Sequence, residues 1–145
     1  MDKIQKTVAL AIAFDKSQNI LVSRRNDEYT PEAHNKWALI GGKVEYGENP
    51  EDTLKREFKE ETGLEIENAK LLPKVFTQLW TNKHGQEYQV ILLVYSCSII
   101  NPPENAVSQD PKISELKYIS AKELDKYNFI ELDAEIIKYL INQKP

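Results

Sequence analysis

The chain is poor in what several protein classes depend on. It has one cysteine, Cys97, in 145 residues, which excludes an intrachain disulfide framework and fits a reducing compartment. Cys97 lies in an apolar run and is expected to be a small core residue. No run approaches the roughly 18 apolar residues of a membrane span. Met1-Asp2-Lys3-Ile4-Gln5-Lys6 lacks the apolar block of a secretion signal, so a cytoplasmic location is expected. Basic charge is not in excess: 19 Lys and Arg against 23 Asp and Glu leave a net charge of −4. Nothing global draws such a chain to a nucleic-acid polymer or an anionic membrane, and a phosphate-bearing substrate would need a local device to overcome repulsion. The two histidines, His34 and His84, lie in polar stretches, and there is no Gly-x-Ser-x-Gly elbow, which argues against Ser/His/Asp chemistry. No Walker-type glycine loop is present, so phosphate binding is not expected to rest on a nest of backbone amides.

What is present suits one globular domain over 1–145. The apolar fraction is 41% and the charged fraction 29%, and a chain of this length buries on the order of 70% of its unfolded surface. Short apolar, β-branched runs predict strands at 7–14 and 20–25, joined by a turn at 15–19. A polar loop with Pro31 leads to a short strand at 37–40 that ends at Gly41-Gly42. Asn49 is a good N-cap, Pro50 suits the first helical position and Gly63 the C-cap, so a helix is expected over 50–62. Longer strands are expected at 69–81 and 87–100, with Asn82-Lys83-His84-Gly85 as the hairpin turn. A proline-containing loop precedes a strand at 116–119. Ser120-x-x-Glu123 is a capping box opening a short helix, and 133–142 reads as a terminal amphipathic helix. Irregular alternation of strands and helices predicts an α/β chain with a mixed sheet and helices on both faces.

Chemistry concentrates in Gly42 to Leu64. Glu57, Glu60 and Glu61 stand at i, i+3 and i+4, within an arc of roughly 100° on one helix face. Like charges at that spacing repel, and these three also sit at the negative end of the helix dipole. A hard divalent cation would remove both penalties, since Mg²⁺ takes carboxylate oxygens and leaves positions for water and phosphate. On charge alone, a solvated acidic face beside Lys55 and Lys59 accounts for them as well.

The neighbours decide between the two. Gly42, five residues, Glu48, seven residues, then Arg56-Glu57-Phe58-Lys59-Glu60-Glu61-Thr62-Gly63-Leu64 matches the pattern Gly-x5-Glu-x7-Arg-Glu-U-x-Glu-Glu-x-Gly-U, with U bulky and apolar. The segment resembles the Nudix box, and the chain resembles a MutT-like member of the Nudix hydrolase family. Phe58 stands where aliphatic residues are commoner, and Ile40 where a proline often precedes the glycines.

The resemblance implies an α/β/α sandwich around a mixed central sheet. It also implies that Glu57, Glu60 and Glu61, with the carbonyl of Gly41, hold Mg²⁺ (or Mn²⁺ in its place). Arg56 and Glu48 are implied to be an ion pair that orients the ligand carboxylates. Family members often add a carboxylate from a later loop; Glu115, directly before the short strand, is favoured over Asp110. Arg25 and Lys43 are candidate phosphate clamps. The implied reaction is attack of water on phosphorus in a nucleoside diphosphate linked to a group X, with a carboxylate taking the proton. Glu57 is the candidate base, with Glu60 and Glu115 as alternatives.

The marker Pro or Tyr of ADP-ribose and dinucleoside-polyphosphate hydrolases is absent from Gln78-Leu79-Trp80-Thr81, and no coenzyme A signature is evident. Elimination favours a (deoxy)nucleoside triphosphate cleaved to the monophosphate and pyrophosphate, damaged or non-standard dNTPs included. An ADP-ribose or nucleotide-sugar pyrophosphatase is the runner-up, followed by a nucleotide-sensing module without turnover. Trp37, Trp80, Tyr88 and Phe129 are candidate base-stacking walls, with core packing as the other reading of each. Asp133 either reads a base edge or caps a helix. A homodimer is compatible with the sequence.

Overall fold

In the computed structural model, residues 3–143 are described; Met1 and Asp2 of the polar N-terminal segment lie outside them. The sheet is organised by β1 (Ile4–Phe14). Its alternation sends Ala9, Ala11 and Ala13 to one face and Leu10 and Ile12 to the other, so both faces of the strand are covered. One edge of β1 pairs in parallel with β7 (Glu87–Ile99), from Ile4↔Tyr88 to Phe14↔Ser98. The other edge is shared. β4 (Ile40–Lys43) runs antiparallel along Val8 to Ala11, and β2 (Ile20–Arg25) pairs at Phe14↔Ile20. β2 also pairs with β3 (Trp37–Ala38) and β8 (Ile113–Ile119), while β5 (Ile66–Leu71) and β6 (Phe76–Thr81) pair with β7. All eight strands belong to one mixed sheet.

Helix α1 (Pro50–Thr62) has the bounds the caps predict. Asn49 Oδ1 accepts from the Glu51 N–H at 2.9 Å, and Gly63 closes the helix in the left-handed region at φ 75°. Leu54 and Phe58 of α1 are wholly buried against the three alanines, with Leu64, Ile66 and Cys97. Small residues on β1 leave the room that Phe58 fills, so the aromatic at this box position is a packing solution worth about 1.5–3 kcal/mol of burial. Helix α2 (Glu131–Ile141) lies on the opposite face, where Ile136 and Ile137 meet Leu10, Ile12, Val22 and Val94. The result is an α/β/α sandwich. Among the described residues, no helix is long and apolar enough to cross a membrane.

Several elements differ from expectation. The single strand at 69–81 is two, β5 and β6, separated around Pro73, which cannot donate to a ladder. The strand at 37–40 is β3 and β4, and β4 runs through Gly41-Gly42 instead of ending there. The break falls at Leu39, whose N–H goes to Asp133 Oδ2 at 2.8 Å and not to a neighbouring strand. There the chain leaves β2 and joins β1. β8 begins at Ile113, so Glu115 lies inside a strand. The Ser120–Glu123 capping box opens a 3₁₀ helix, Ala121–Lys126. α2 starts at Glu131 with Ile130 at its N-cap position, so Asp133 is not a cap.

Candidate active site

Three of the acids lie on α1, but they do not share an environment. Glu61 follows Leu54 by seven positions and Phe58 by three, so it points with them into the protein and is only 3% exposed. Burial, then the charge of Glu57, pushes its carboxyl up to about 8, opposed by Arg25 and by the Gly41 N–H that it accepts. Its Oε2 is buried without a hydrogen-bond partner. Glu57 is half-buried and raised chiefly by desolvation, with Arg56 opposing. Glu60 is on the rim.

Arginines serve these acids. Arg56 Nη1 lies 3.0 Å from Glu57 Oε1 and 3.4 Å from Glu60 Oε2, and Arg25 Nη1 lies 3.8 Å from Glu61 Oε1. Glu48 grips Arg56 from the other side in a bidentate pair, Nε to Oε2 at 2.8 Å and Nη2 to Oε1 at 3.0 Å. Thr53 Oγ1 and the Glu45 N–H also donate to Glu48. Arg56 and these donors hold the Glu48 carboxyl down at about 2. The Glu48–Arg56 pair therefore fixes the guanidinium that bears on Glu57.

The two glycines at the start of the box play different parts. A Cβ at Gly41 would overlap the Ala9 carbonyl oxygen of β1, so β4 can lie along β1 only without a side chain there, and one at Gly42 would fall on the Glu57 carboxylate, 2.6 Å from either oxygen.

Among the described residues no three Asp, Glu, His or Cys side chains converge as a finished cage. The donor chemistry nonetheless fits a hard cation. The available groups are carboxylate oxygens and backbone carbonyls, and one buried carboxylate oxygen has no partner. Like-charged carboxyls pushed upward by desolvation are the groups whose local logic a bound cation inverts.

Beside the acids lies a pocket of about 320 Å³, within the size range of small-molecule sites. Gly41 and Arg25 line it and also touch Glu61, so pocket and acids are continuous. Lys43, Trp80, Tyr88 and Asp133 line it as well. Trp37 and Phe129 do not; both are core, with Trp37 packed edge-to-face on Tyr127 at 5.7 Å. Trp80 packs against Ala33, Ala38 and Ile130.

Glu115 is not brought to the site. It pairs with Arg24 across the ladder, is exposed, and shares strand parity with Lys117 and Ile119 on the α2 face. Asp110, in the turn before β8, is the acid whose charge raises both Glu57 and Glu61. Sequence reasoning missed Lys6, Tyr29, Asn82 and Lys112, which also line the pocket. Lys6 was legible in principle, since it shares strand parity with Val8 and Leu10. Asn82 looked like turn chemistry alone. Its Oδ1 does accept from the His84 and Gln86 N–H groups, but its Nδ2 also donates to the hydroxyls of Tyr29 and Tyr88 at 2.8 and 2.9 Å.

Burial pushes the Asp133 carboxyl up to about 7, against the Leu39 N–H and Arg25. The unfolded carboxyl ionises near 3.9. Between those values the fold keeps a proton that the unfolded chain has lost. This group's contribution to stability therefore falls as pH rises through that window and levels off above about 7. Asp133→Asn can still accept from Leu39 and does not titrate. Its thermal stability relative to wild type is expected to improve from pH 4.5 to pH 8, by about 2–4 kcal/mol. A pH-independent difference would contradict this.

A NUDIX domain family model matches residues 4–140. A nucleoside triphosphatase NudI of Escherichia fergusonii is 28% identical over 97 residues, 63% of this chain and 67% of that protein. An Escherichia coli NudI is 34% identical over 70 residues, 45% of this chain and 50% of its own length. The chain thus spans between half and two thirds of these relatives. Among solved structures, a MutT protein from Bacillus halodurans aligns with a TM-score of 0.73 at 22% identity, over 95% of this chain and 83% of its own. The NUDIX domain of Shewanella oneidensis NrtR, complexed with ADP ribose, aligns with a TM-score of 0.72 at 15% identity, over 97% and 87%. At such identities the structural likenesses establish the fold.

Proposed function

The chain belongs to the NUDIX domain family, and from that premise we propose that it is a pyrophosphohydrolase that cleaves a (deoxy)nucleoside triphosphate to the monophosphate and pyrophosphate. The observation that carries this reading is the continuity of pocket and acids through Gly41 and Arg25. A nucleoside in the pocket would present its phosphates to the carboxylates. The NudI relatives, named nucleoside triphosphatases, support the same substrate class.

Glu57, Glu60 and Glu61, with the Gly41 carbonyl and Asp110, are the residues that would hold Mg²⁺ or Mn²⁺. Such an ion neutralises phosphate oxygens and lowers the pKa of water. Arg25 and Lys43 orient the phosphate chain. Glu57 takes the proton of the attacking water as a P–O bond of the anhydride between the α- and β-phosphates breaks, and the Glu48–Arg56 pair keeps Glu57 aimed. Asp133 meets the base edge, and Trp80 and Tyr88 supply apolar walls.

A second reading, an ADP-ribose or nucleotide-sugar substrate, draws on a neighbour of the same fold whose structure holds ADP-ribose. A panel of nucleotides assayed with Mg²⁺ and with excess chelator separates the readings. Pyrophosphate plus monophosphate, formed only with metal, is the expected result. Sugar phosphate plus AMP supports the second reading, binding without turnover indicates a sensing module, and full activity in chelator contradicts metal dependence.

A further inference from the structure

The turn before β8 lies beside Arg25. Ile113 is the Cα partner of Arg25 across the ladder, Arg25 reaches Glu61 at 3.8 Å, and both Arg25 and Lys112 line the pocket. The turn is held firmly. The Lys112 N–H donates to Asp110 Oδ1 at 2.9 Å, and the Ile113 N–H donates to the Asp110 carbonyl at 3.0 Å. Asn26, next to Arg25, ties the turn to β2: its backbone N–H donates to the Lys112 carbonyl at 2.7 Å and its Nδ2 to the Pro111 carbonyl at 3.2 Å. Arg25 is shared between Asp27 and Glu61. Like Lys6 and Lys43 of the same pocket, Lys112 forms no ion pair with any carboxylate among the described residues.

A cation without a carboxylate, on a braced backbone at the acid end of a nucleotide pocket, is suited to an anionic ligand. We infer that Lys112 binds the pyrophosphate end of the substrate and so sets the preference for a triphosphate over a shorter phosphate chain. This rests on the triphosphate reading above. Lysine acts there as a point charge on a flexible stem.

The test compares wild type, Lys112→Met and Lys112→Arg, with Lys117→Met as a control; Lys117 lies over the Tyr127 ring, outside the pocket. Pyrophosphate and nucleoside monophosphate binding are measured by calorimetry in Mg²⁺ buffer, beside steady-state kinetics. In Lys112→Met, pyrophosphate binding is expected to weaken about tenfold and KM for the triphosphate to rise by a similar factor. Its monophosphate binding should be unchanged. Lys112→Arg and Lys117→Met should resemble wild type. Unchanged pyrophosphate binding in Lys112→Met, or an equal loss for the monophosphate, would overturn the inference. The calorimetry needs no turnover. A wild type that binds pyrophosphate through Lys112 but cleaves no triphosphate would refute the substrate reading and leave the role of Lys112 standing.

Discussion

Glu57→Gln is expected to lower kcat by about 10²–10⁴ while leaving the fold intact. Glu57 is the acid on which most of the site converges. Desolvation raises it, Arg56 contacts it at 3.0 Å, and the Cβ-free surface of Gly42 receives it. Gln keeps the shape but cannot take a proton and is a poor ligand for a hard cation. A steric counterpart tests the same position without touching the carboxylate chemistry. Gly42→Ala would place a methyl where the Glu57 carboxylate lies, and because that obstacle is a side-chain end, the carboxylate can move aside without breaking β4. Misplacement by about 1 Å costs on the order of 10²-fold, so this variant should lose kcat too, with a circular dichroism spectrum like wild type. Near-normal turnover in both variants would remove Glu57 from the chemistry.

Glu61→Gln is expected to abolish activity and yet make the metal-free protein more stable. In the native fold this carboxyl either gives up its charge or keeps it beside Glu57 with Oε2 unpartnered. Either course costs about 1–3 kcal/mol relative to the unfolded chain. Gln carries no charge to desolvate beside Glu57 and can still accept from the Gly41 N–H. At about 4 °C of Tm per kcal/mol for a chain near this length, the metal-free variant should melt several degrees above wild type. Fold stability and function oppose each other at this residue, as is expected where a site holds strain that a ligand relieves. A clear loss of Tm in the metal-free variant would show that Glu61 is a structural group.

How far the sequence carried depends on the range of the signals. The ends of α1 were legible because Asn49, Pro50 and Gly63 act on their own neighbours. The box was legible because its residues lie on one helix and the loop before it. Interactions between distant strands were not. The split at Leu39 depends on Asp133, ninety-four positions away, and the split near Pro73 depends on which stretch of β7 each half pairs with. Glu57, Glu60 and Glu61 read as one acidic face. The depth of Glu61 follows from its spacing to Leu54 and Phe58, a pattern present in the sequence but hidden by the charge. Glu115 looked suitable by its closeness to a strand. The strand starts earlier and its parity turns that residue to the α2 face, leaving Asp110 near the acids. The pocket wall is drawn from β1, β4, β6, β7 and the loops after β2 and before β8, so no short window contains it.

A divalent cation held among these acids should show when the metal-free protein is melted against increasing Mn²⁺ or Mg²⁺, with Glu61→Gln alongside. A saturable rise in wild-type stability is expected, about 2.7 kcal/mol at a hundred times the dissociation constant, and little or none in the variant. A wild-type Tm indifferent to both ions, or an equal rise in the two proteins, would contradict it.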